Sequence, residues 1–227
     1  MLQAASRAFS EMLQPSFRHI FWKSLGLTLA LLFVVWLVIE GLVTGFVTLP
    51  YPWLETSLSI LTGIGAFFLL GFLVAPATSL FAAFFQDDIA ELVEKHSYPG
   101  DPAGKALPLM QSVWLSIKFA SVVVLGNIVA LILLLVPGVN LIAFFVINGY
   151  LLGREYFEFA AMRFMSPAEA RQFRQSHGGT VFLAGLIIAG MLAVPLLNLL
   201  TPIFATIFMM HMYKRLSVRT PEAGPAR

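Results

Sequence analysis

Long apolar stretches interrupted by proline dominate the hydrophobic pattern of this chain. Four stretches contain no Asp, Glu, Lys or Arg: residues 24–39, 56–86, 119–153 and 177–213. A transmembrane helix needs about 20 apolar residues. The pattern therefore predicts an all-α integral membrane protein with two long transmembrane helices, over about 16–47 and 56–95. It also predicts two proline-broken helical hairpins, over about 112–153 and 178–213.

Two similar proline breaks lie near the middle of the last two stretches. Residues 136–141 read VPGVNL and residues 194–199 read VPLLNL. Proline removes a backbone donor and kinks or ends a helix, and a bilayer tolerates such a break only where protein or a water-filled cavity covers it. Each hairpin arm has about 16 residues, or about 24 Å, against a hydrocarbon core of about 30 Å. The arms are therefore either short spans or hemi-penetrating segments, and the pattern leaves both open.

Charge distribution predicts the orientation of the chain. The first loop, 40–55, contains Glu40 and Glu55 but no Lys or Arg, together with the interfacial aromatics Tyr51 and Trp53. Because cytoplasmic loops carry the excess of Lys and Arg, we expect this loop outside and the basic segments inside. Residues 1–216 form one membrane domain in this interpretation, and 217–227 form a disordered cytoplasmic tail. The charges of the inner loops are nearly balanced, which leaves dual topology open.

Composition supports a membrane protein and gives no sign of an enzyme. Hydrophobic residues make up 59% of the chain and charged residues 11%, whereas a soluble domain carries about 25% charged residues. The chain has no cysteine, which excludes disulfides and thiolate metal ligands. Walker and nucleophile-elbow patterns are absent, and the four histidines lack ligand partners at helical spacing. We expect no enzymatic activity, metal, cofactor or nucleic-acid partner.

The segment from Ser16 to His19 has the composition of an anion site. It follows Pro15 and opens the first long helix, where backbone N–H groups and the positive end of the helix dipole are available. Arg18 adds a planar fork of donors, and such helix starts bind anions. The alternative is that Arg18 and Lys23 only follow the positive-inside rule.

Charged residues after the first hairpin form a second candidate. Arg154 and Glu158 are four residues apart and can pair on a helix. Arg163 can pair with Glu155 or Glu158 across a further turn or from a neighbouring chain. This set is either an interfacial ion-pair cluster or a gate at a cytoplasmic mouth.

Polar residues within the hairpins are candidates for a pore. Lys118 either anchors the first hairpin at the interface or collects anions. Asn140 and Asn198 follow the two breaks and either cap freed backbone groups or line a path. Outside the hairpins, Ser166-Pro167-Ala168-Glu169 predicts a capping box at the start of a short helix.

Several segments in order resemble the CysZ-type sulfate transporter family of bacterial inner membranes, across residues 8–216. The carrying segments are 14–19 (QPSFRH), 75–92 (from AP through IAEL), Trp114 with Lys118, 136–138 (VPG), 154–157 (REYF) and 194–198 (VPLLN). The resemblance implies two long transmembrane helices, two hemi-penetrating hairpins and a homo-oligomer in the bacterial inner membrane. It implies channel-like sulfate uptake for cysteine biosynthesis without ATP hydrolysis.

The resemblance also implies a sulfate-binding motif of the form Gly-apolar-Arg-Arg, which maps to Ser16, Phe17, Arg18 and His19. Serine keeps the backbone N–H and adds a hydroxyl. Histidine replaces an obligate charge by one that changes between pH 5 and 8, so we expect weaker, pH-dependent binding. Sulfite and other oxyanions are alternative substrates. A membrane-shaping hairpin protein and a subunit of a larger transporter are alternative functions.

Overall fold

The computed structural model of the chain describes residues 1–46, 51, 53–54, 56–57, 60–61, 63–65, 74, 77–78, 84–106, 108, 110 and 139–219. These described residues form helices, turns and short loops, with no strand among them. The helices are α1 Leu2–Met12, α2 Pro15–Phe46, α3 Gln86–Ser97, α4 Val139–Met162, α5 Pro167–Ser176, α6 Gly178–Leu192, α7 Pro195–Asn198 and α8 Thr201–Arg219. The predicted all-helical class is confirmed at this level.

The chain divides into two compact units. One comprises Met1–Arg18 and Gln86–Arg227, and the other comprises His19–Phe85. The division falls within the first turns of α2, so the start of that helix belongs to the first unit. The cleft and the ion clusters described below lie within the first unit.

Helix α2 has the length and surface of a membrane span. Its segment Pro15–Val43 has 29 residues and a mean hydropathy of 2.4 over its most apolar window, of which only 11% is buried by the chain. Large apolar side chains on it are exposed, among them Leu29, Phe33, Val34, Leu37 and Val38. Since soluble surfaces rarely expose so large an apolar patch, these side chains suit lipid. In the described residues α2 is one clear candidate span, and the bent pair of α5 and α6 could be a second.

Proline and serine set several helix boundaries, as the sequence predicted. Helix α4 begins directly after Pro137-Gly138, and Val194 is extended before Pro195 opens α7. The predicted capping box at Ser166 is confirmed: its hydroxyl accepts from the Glu169 N–H at 3.4 Å, and the Glu169 carboxylate accepts from the Ser166 N–H at 2.8 Å. These helix boundaries depend on residues within one helical turn of each other, so the sequence alone predicts them.

The end of the second hairpin differs from the expected one, and other boundaries cannot be compared. Helix α5 ends at Ser176 and α6 begins at Gly178 with a bend of 92° between them, so the second hairpin begins near residue 178, as expected. Helix α8 continues through Arg219, and residues 217–219, expected in the tail, are therefore helical. The first arm of the first hairpin, before Val139, and most of the second long helix lie outside the described residues.

Helix α8 is the central helix of the first unit. It packs against α1, α3, α4 and α6, and its side chains are buried almost continuously from Thr201 to Lys214. Its polar side chains have partners: the Thr206 hydroxyl donates to the Pro202 carbonyl at 2.8 Å, and Lys214 pairs with Asp101 at 3.0 Å. A helix buried on all sides is a core helix, and the others are placed by contact with it.

Helices α4 and α6 approach each other closely through glycine. A Cβ at Gly153 would lie 2.7 Å from the Val181 carbonyl oxygen, and a Cβ at Gly185 would lie 2.8 Å from the Gly153 nitrogen and overlap the Gly149 carbonyl. Gly149 and Gly153 form a Gly-x-x-x-Gly pair, the spacing that lets two helix backbones touch. This contact fixes α4, and with it the charged residues that follow Gly153.

Candidate functional site

The start of α2 lines a cleft together with the end of α3. The cleft has a volume of about 200 Å³ and is lined by Gln14, Ser16 and Phe17 from one side and by Leu92, Lys95 and His96 from the other. The first intrahelical bond here is from Arg18 N–H to the Gln14 carbonyl at 3.0 Å. The N–H groups of Ser16 and Phe17 have no acceptor one turn earlier in the helix. The first N–H groups of a helix form the positive end of its dipole, where an anion is favoured.

Lys95 and His96 are residues that the sequence interpretation missed. They lie in the last turn of α3, where basic side chains favour the negative end of that helix dipole. Folding brings them to the start of α2. Lys95 also pairs with Glu91 one turn back, and both side chains are more than half exposed. The amphipathic pattern of α3 was visible in the sequence, but it gave no indication of which helix start its cations would meet.

The four residues of the expected sulfate motif take different positions. Ser16 and Phe17 line the cleft, and Phe17 is 1% exposed. Arg18 and His19 are exposed, and neither lines the cleft. Arg18 is turned about 200° around the helix from Ser16. The structure thus places half of the motif at the cleft and supplies a different cation, Lys95.

A buried ion network holds α1, and therefore the entry to α2, against α8. Glu11 is 3% exposed and accepts hydrogen bonds from Arg7 Nε at 2.9 Å and from the Ser97 hydroxyl at 2.6 Å. Its other oxygen lies 3.1 Å from His211 Nε2, and His211 Nδ1 lies 2.8 Å from the Tyr98 hydroxyl. Only Leu13 and Gln14 separate α1 from α2, so this network fixes where the cleft forms.

Acid should remove the contribution of Glu11 to stability. Burial alone would raise the pKa of Glu11, but the hydrogen bonds from His211, Ser97 and Arg7 outweigh it and lower the pKa from 4.5 to about 2. A carboxyl with a lowered pKa stabilises the fold above its unfolded pKa and stops doing so as pH falls through the folded one. We expect Glu11→Gln to lower the free energy of unfolding by about 1–3 kcal/mol at pH 7. The difference in stability between this variant and the wild type should shrink between pH 4.5 and about 2.

Thermal unfolding of the purified protein in detergent across this pH range measures that gap. Glu91→Gln is the matched control, because its exposed pair with Lys95 contributes at most about 1 kcal/mol. A stability gap for Glu11→Gln that is the same at pH 7 and pH 3 would contradict the argument.

The family assignment follows from comparison with known proteins. The family model of the sulfate transporter CysZ and etoposide-induced protein 2.4 matches residues 4–202. The chain belongs to this family. A comparison with curated proteins found no match. The family match covers α1, the cleft, α4 to α7 and the first residues of α8, and it confirms the resemblance seen in the sequence. Membership supports sulfate transport and membrane association at the level of the family.

Arg163, one of the expected gate residues, belongs to a different ion cluster from the predicted one. Its Nε donates to Glu94 at 2.8 Å, and its Nη1 pairs with Asp87. Glu94 also accepts from the Gly104 N–H at 2.9 Å, and the Lys105 N–H donates to the Arg163 carbonyl at 2.8 Å. The expected pairing of Arg163 with Glu155 or Glu158 within the chain is therefore wrong, because tertiary packing offers two carboxylates from α3.

Glu155 stands apart from these clusters. It makes no ion pair in the part of the chain that the structure describes, and burial raises its pKa to about 7. Its neighbour Tyr156 is buried, hydrogen-bonds to the Gln86 side chain and has a pKa raised by burial. A carboxyl whose pKa is raised by burial is a candidate functional group rather than a fixed ion pair.

The remaining pore candidates are placed only in part. Asn198 is half-buried at the end of α7. Asn140 lies in the first turn of α4, and its side chain is outside the described part. Lys118 lies outside the described residues altogether. Their roles stay predictions.

Proposed function

We propose that the protein is a sulfate permease of the bacterial inner membrane. It binds sulfate at the start of α2 and conducts it without ATP hydrolysis, supplying sulfate for cysteine biosynthesis. The observation that carries the proposal is the cleft of about 200 Å³ that the start of α2 lines together with Lys95 and His96 of α3, in a chain of the CysZ family. The proposal includes two long transmembrane helices, two hemi-penetrating hairpins and a homo-oligomer, and no enzymatic activity.

The chemistry of the cleft suits a doubly charged oxyanion that must also leave. Backbone N–H groups and the helix dipole attract the anion without a full charge. Lys95 is mostly exposed and shared with Glu91, so its attraction is screened by water and by that carboxylate. A conduit needs binding that is favourable enough for entry and weak enough for release. Ser16 adds a hydroxyl donor that the Gly-x-Arg-Arg form of the motif lacks.

Radiolabelled sulfate uptake into liposomes containing the purified protein tests the proposal. We expect uptake by the wild type, and a loss of sulfate affinity of about two- to fivefold in Lys95→Gln, because an exposed charge contributes up to about 1 kcal/mol. The control is Lys105→Gln, an exposed lysine outside the cleft. No uptake by folded, oligomeric wild type would reject the permease and favour the membrane-shaping alternative.

The Arg18→Ala variant tests on which side of the start of α2 the anion binds. If the family motif acts through its side chain, Arg18→Ala loses about tenfold or more in sulfate affinity, as expected for a charge-assisted hydrogen bond. Arg171→Ala, an exposed helical arginine, is the control. Unchanged affinity in Arg18→Ala, with reduced affinity in Lys95→Gln, would assign binding to the cleft and exclude the guanidinium.

A further inference from the structure

Two arginines share one carboxylate where α4 meets α5. The Glu158 oxygen Oε1 lies 2.6 Å from Nε of Arg174 and 3.5 Å from Nε of Arg154. The side chains of Arg174, Arg154 and Glu158 are 10%, 15% and 18% exposed. Arg174 takes the hydrogen bond. The Arg154 Nε is buried and has no hydrogen-bond partner in the described part of the chain.

This cluster has the opposite charge ratio from the one around Arg163. There, one guanidinium meets two carboxylates, Asp87 and Glu94. Here, two guanidiniums meet one carboxylate, and among the residues that the structure describes Glu155 forms no ion pair that would balance the second. A buried charge without a partner is costly, and a buried donor without an acceptor adds to that cost. The second guanidinium and its unused N–H group would both be compensated by an additional anion bound at this position.

We propose that Arg154 and Arg174 form a second oxyanion-binding site, at which a tetrahedral dianion competes with Glu158 for the two guanidiniums. The planar fork of arginine matches two oxygens of such an anion at once. Glu158 serves as an internal competitor that holds Arg174 when the site is empty and speeds release of the anion. The identification of the anion as sulfate rests on the proposed function, whereas the existence of the site does not.

Substitution of the carboxylate and substitution of either arginine should change the sulfate affinity in opposite directions. We expect Glu158→Gln, which removes the competing carboxylate, to tighten sulfate binding about tenfold. We expect Arg154→Gln and Arg174→Gln each to weaken it about tenfold or more. A cluster that only holds α4 to α5 predicts lower thermal stability in all three variants and no change in sulfate affinity. Affinity changes of opposite sign would therefore distinguish a binding role of the cluster from a purely structural one.

Equilibrium binding of radiolabelled sulfate to purified protein in detergent is the measurement, made in the Lys95→Gln background to reduce binding at α2. Arg171→Gln, an exposed arginine on the same helix α5, is the matched control. Should Arg174→Gln fail to fold, Arg174→Lys keeps the charge but loses the fork, and we expect an intermediate loss of affinity. Failure of Glu158→Gln to tighten binding would overturn the inference.

The outcomes also separate this inference from the proposed function. Sulfate uptake into liposomes with unchanged affinity in all three cluster variants would reject the second site and leave the permease standing. No uptake, combined with opposite affinity changes in Glu158→Gln and Arg174→Gln, would reject the permease and leave the oxyanion site standing.

Discussion

Gly185→Ala is expected to lower the stability of the first unit by about 3 kcal/mol, the upper end of the usual cost of overpacking. The added Cβ would overlap the Gly149 carbonyl oxygen and lie 2.8 Å from the Gly153 nitrogen. These are backbone atoms, so no rotamer change on α4 can relieve the contact. Alanine is better than glycine in a helix by about 1 kcal/mol, and this gain is too small to offset the separation of α4 from α6.

The midpoint of thermal unfolding in detergent measures this loss. A change of about 1 kcal/mol moves the midpoint by about 2–4 °C in a domain of this size, so we expect a decrease of about 6–12 °C. Gly190→Ala is the matched control, because it lies on the same helix and its Cβ would meet nothing within 4 Å. There we expect no loss, or a gain of up to about 1 kcal/mol. Equal midpoints for the two variants would contradict a close approach at Gly185.

The contrast between these two glycines shows what the sequence could not tell. Gly149 and Gly153 have the spacing of a close helix contact, but the spacing does not name the partner helix. Gly185 and Gly190 both lie in an apolar helix without local signals that distinguish them. In contrast, the capping box at Ser166 and the start of α4 after Pro137-Gly138 depend on residues within one turn, and the sequence predicted both.

The same difference between local signals and contacts between distant helices applies to the candidate sites. The start of α2 was predictable from Pro15 and the apolar run that follows it, and the structure places Ser16 and Phe17 there. Lys95 and Arg174 reach their sites from other helices. Glu11 and His211 are 200 residues apart, and their contact at 3.1 Å has no trace in local spacing. Helical spacing suggested partners for Arg163 within α4, but it could not include carboxylates brought by α3.

Arg163→Met is expected to cost about 3–5 kcal/mol, the usual effect of removing one partner from a buried ion pair. Arg163 and Glu94 are each 6% exposed. Without the guanidinium, Glu94 keeps a buried charge whose remaining donor shown here is the Gly104 N–H. The Asp87 side chain is 45% exposed, so water can solvate its charge when the guanidinium is removed. The loss should therefore come mainly from Glu94 and should appear in thermal unfolding in detergent, with Arg171→Met as the exposed control.

The double variant Arg163→Met/Glu94→Gln tests that assignment. Neutralising Glu94 removes the stranded charge, and its amide oxygen can still accept from Gly104. We expect the double variant to recover more than half of the stability lost in Arg163→Met, because a buried pair can often be replaced at little net cost while a broken pair cannot. Glu94→Gln alone should be destabilising, since it leaves Arg163 with Asp87 only. If the two single losses instead add in the double variant, the residues are not coupled. Arg163 would then stabilise the unit through packing of its aliphatic stem.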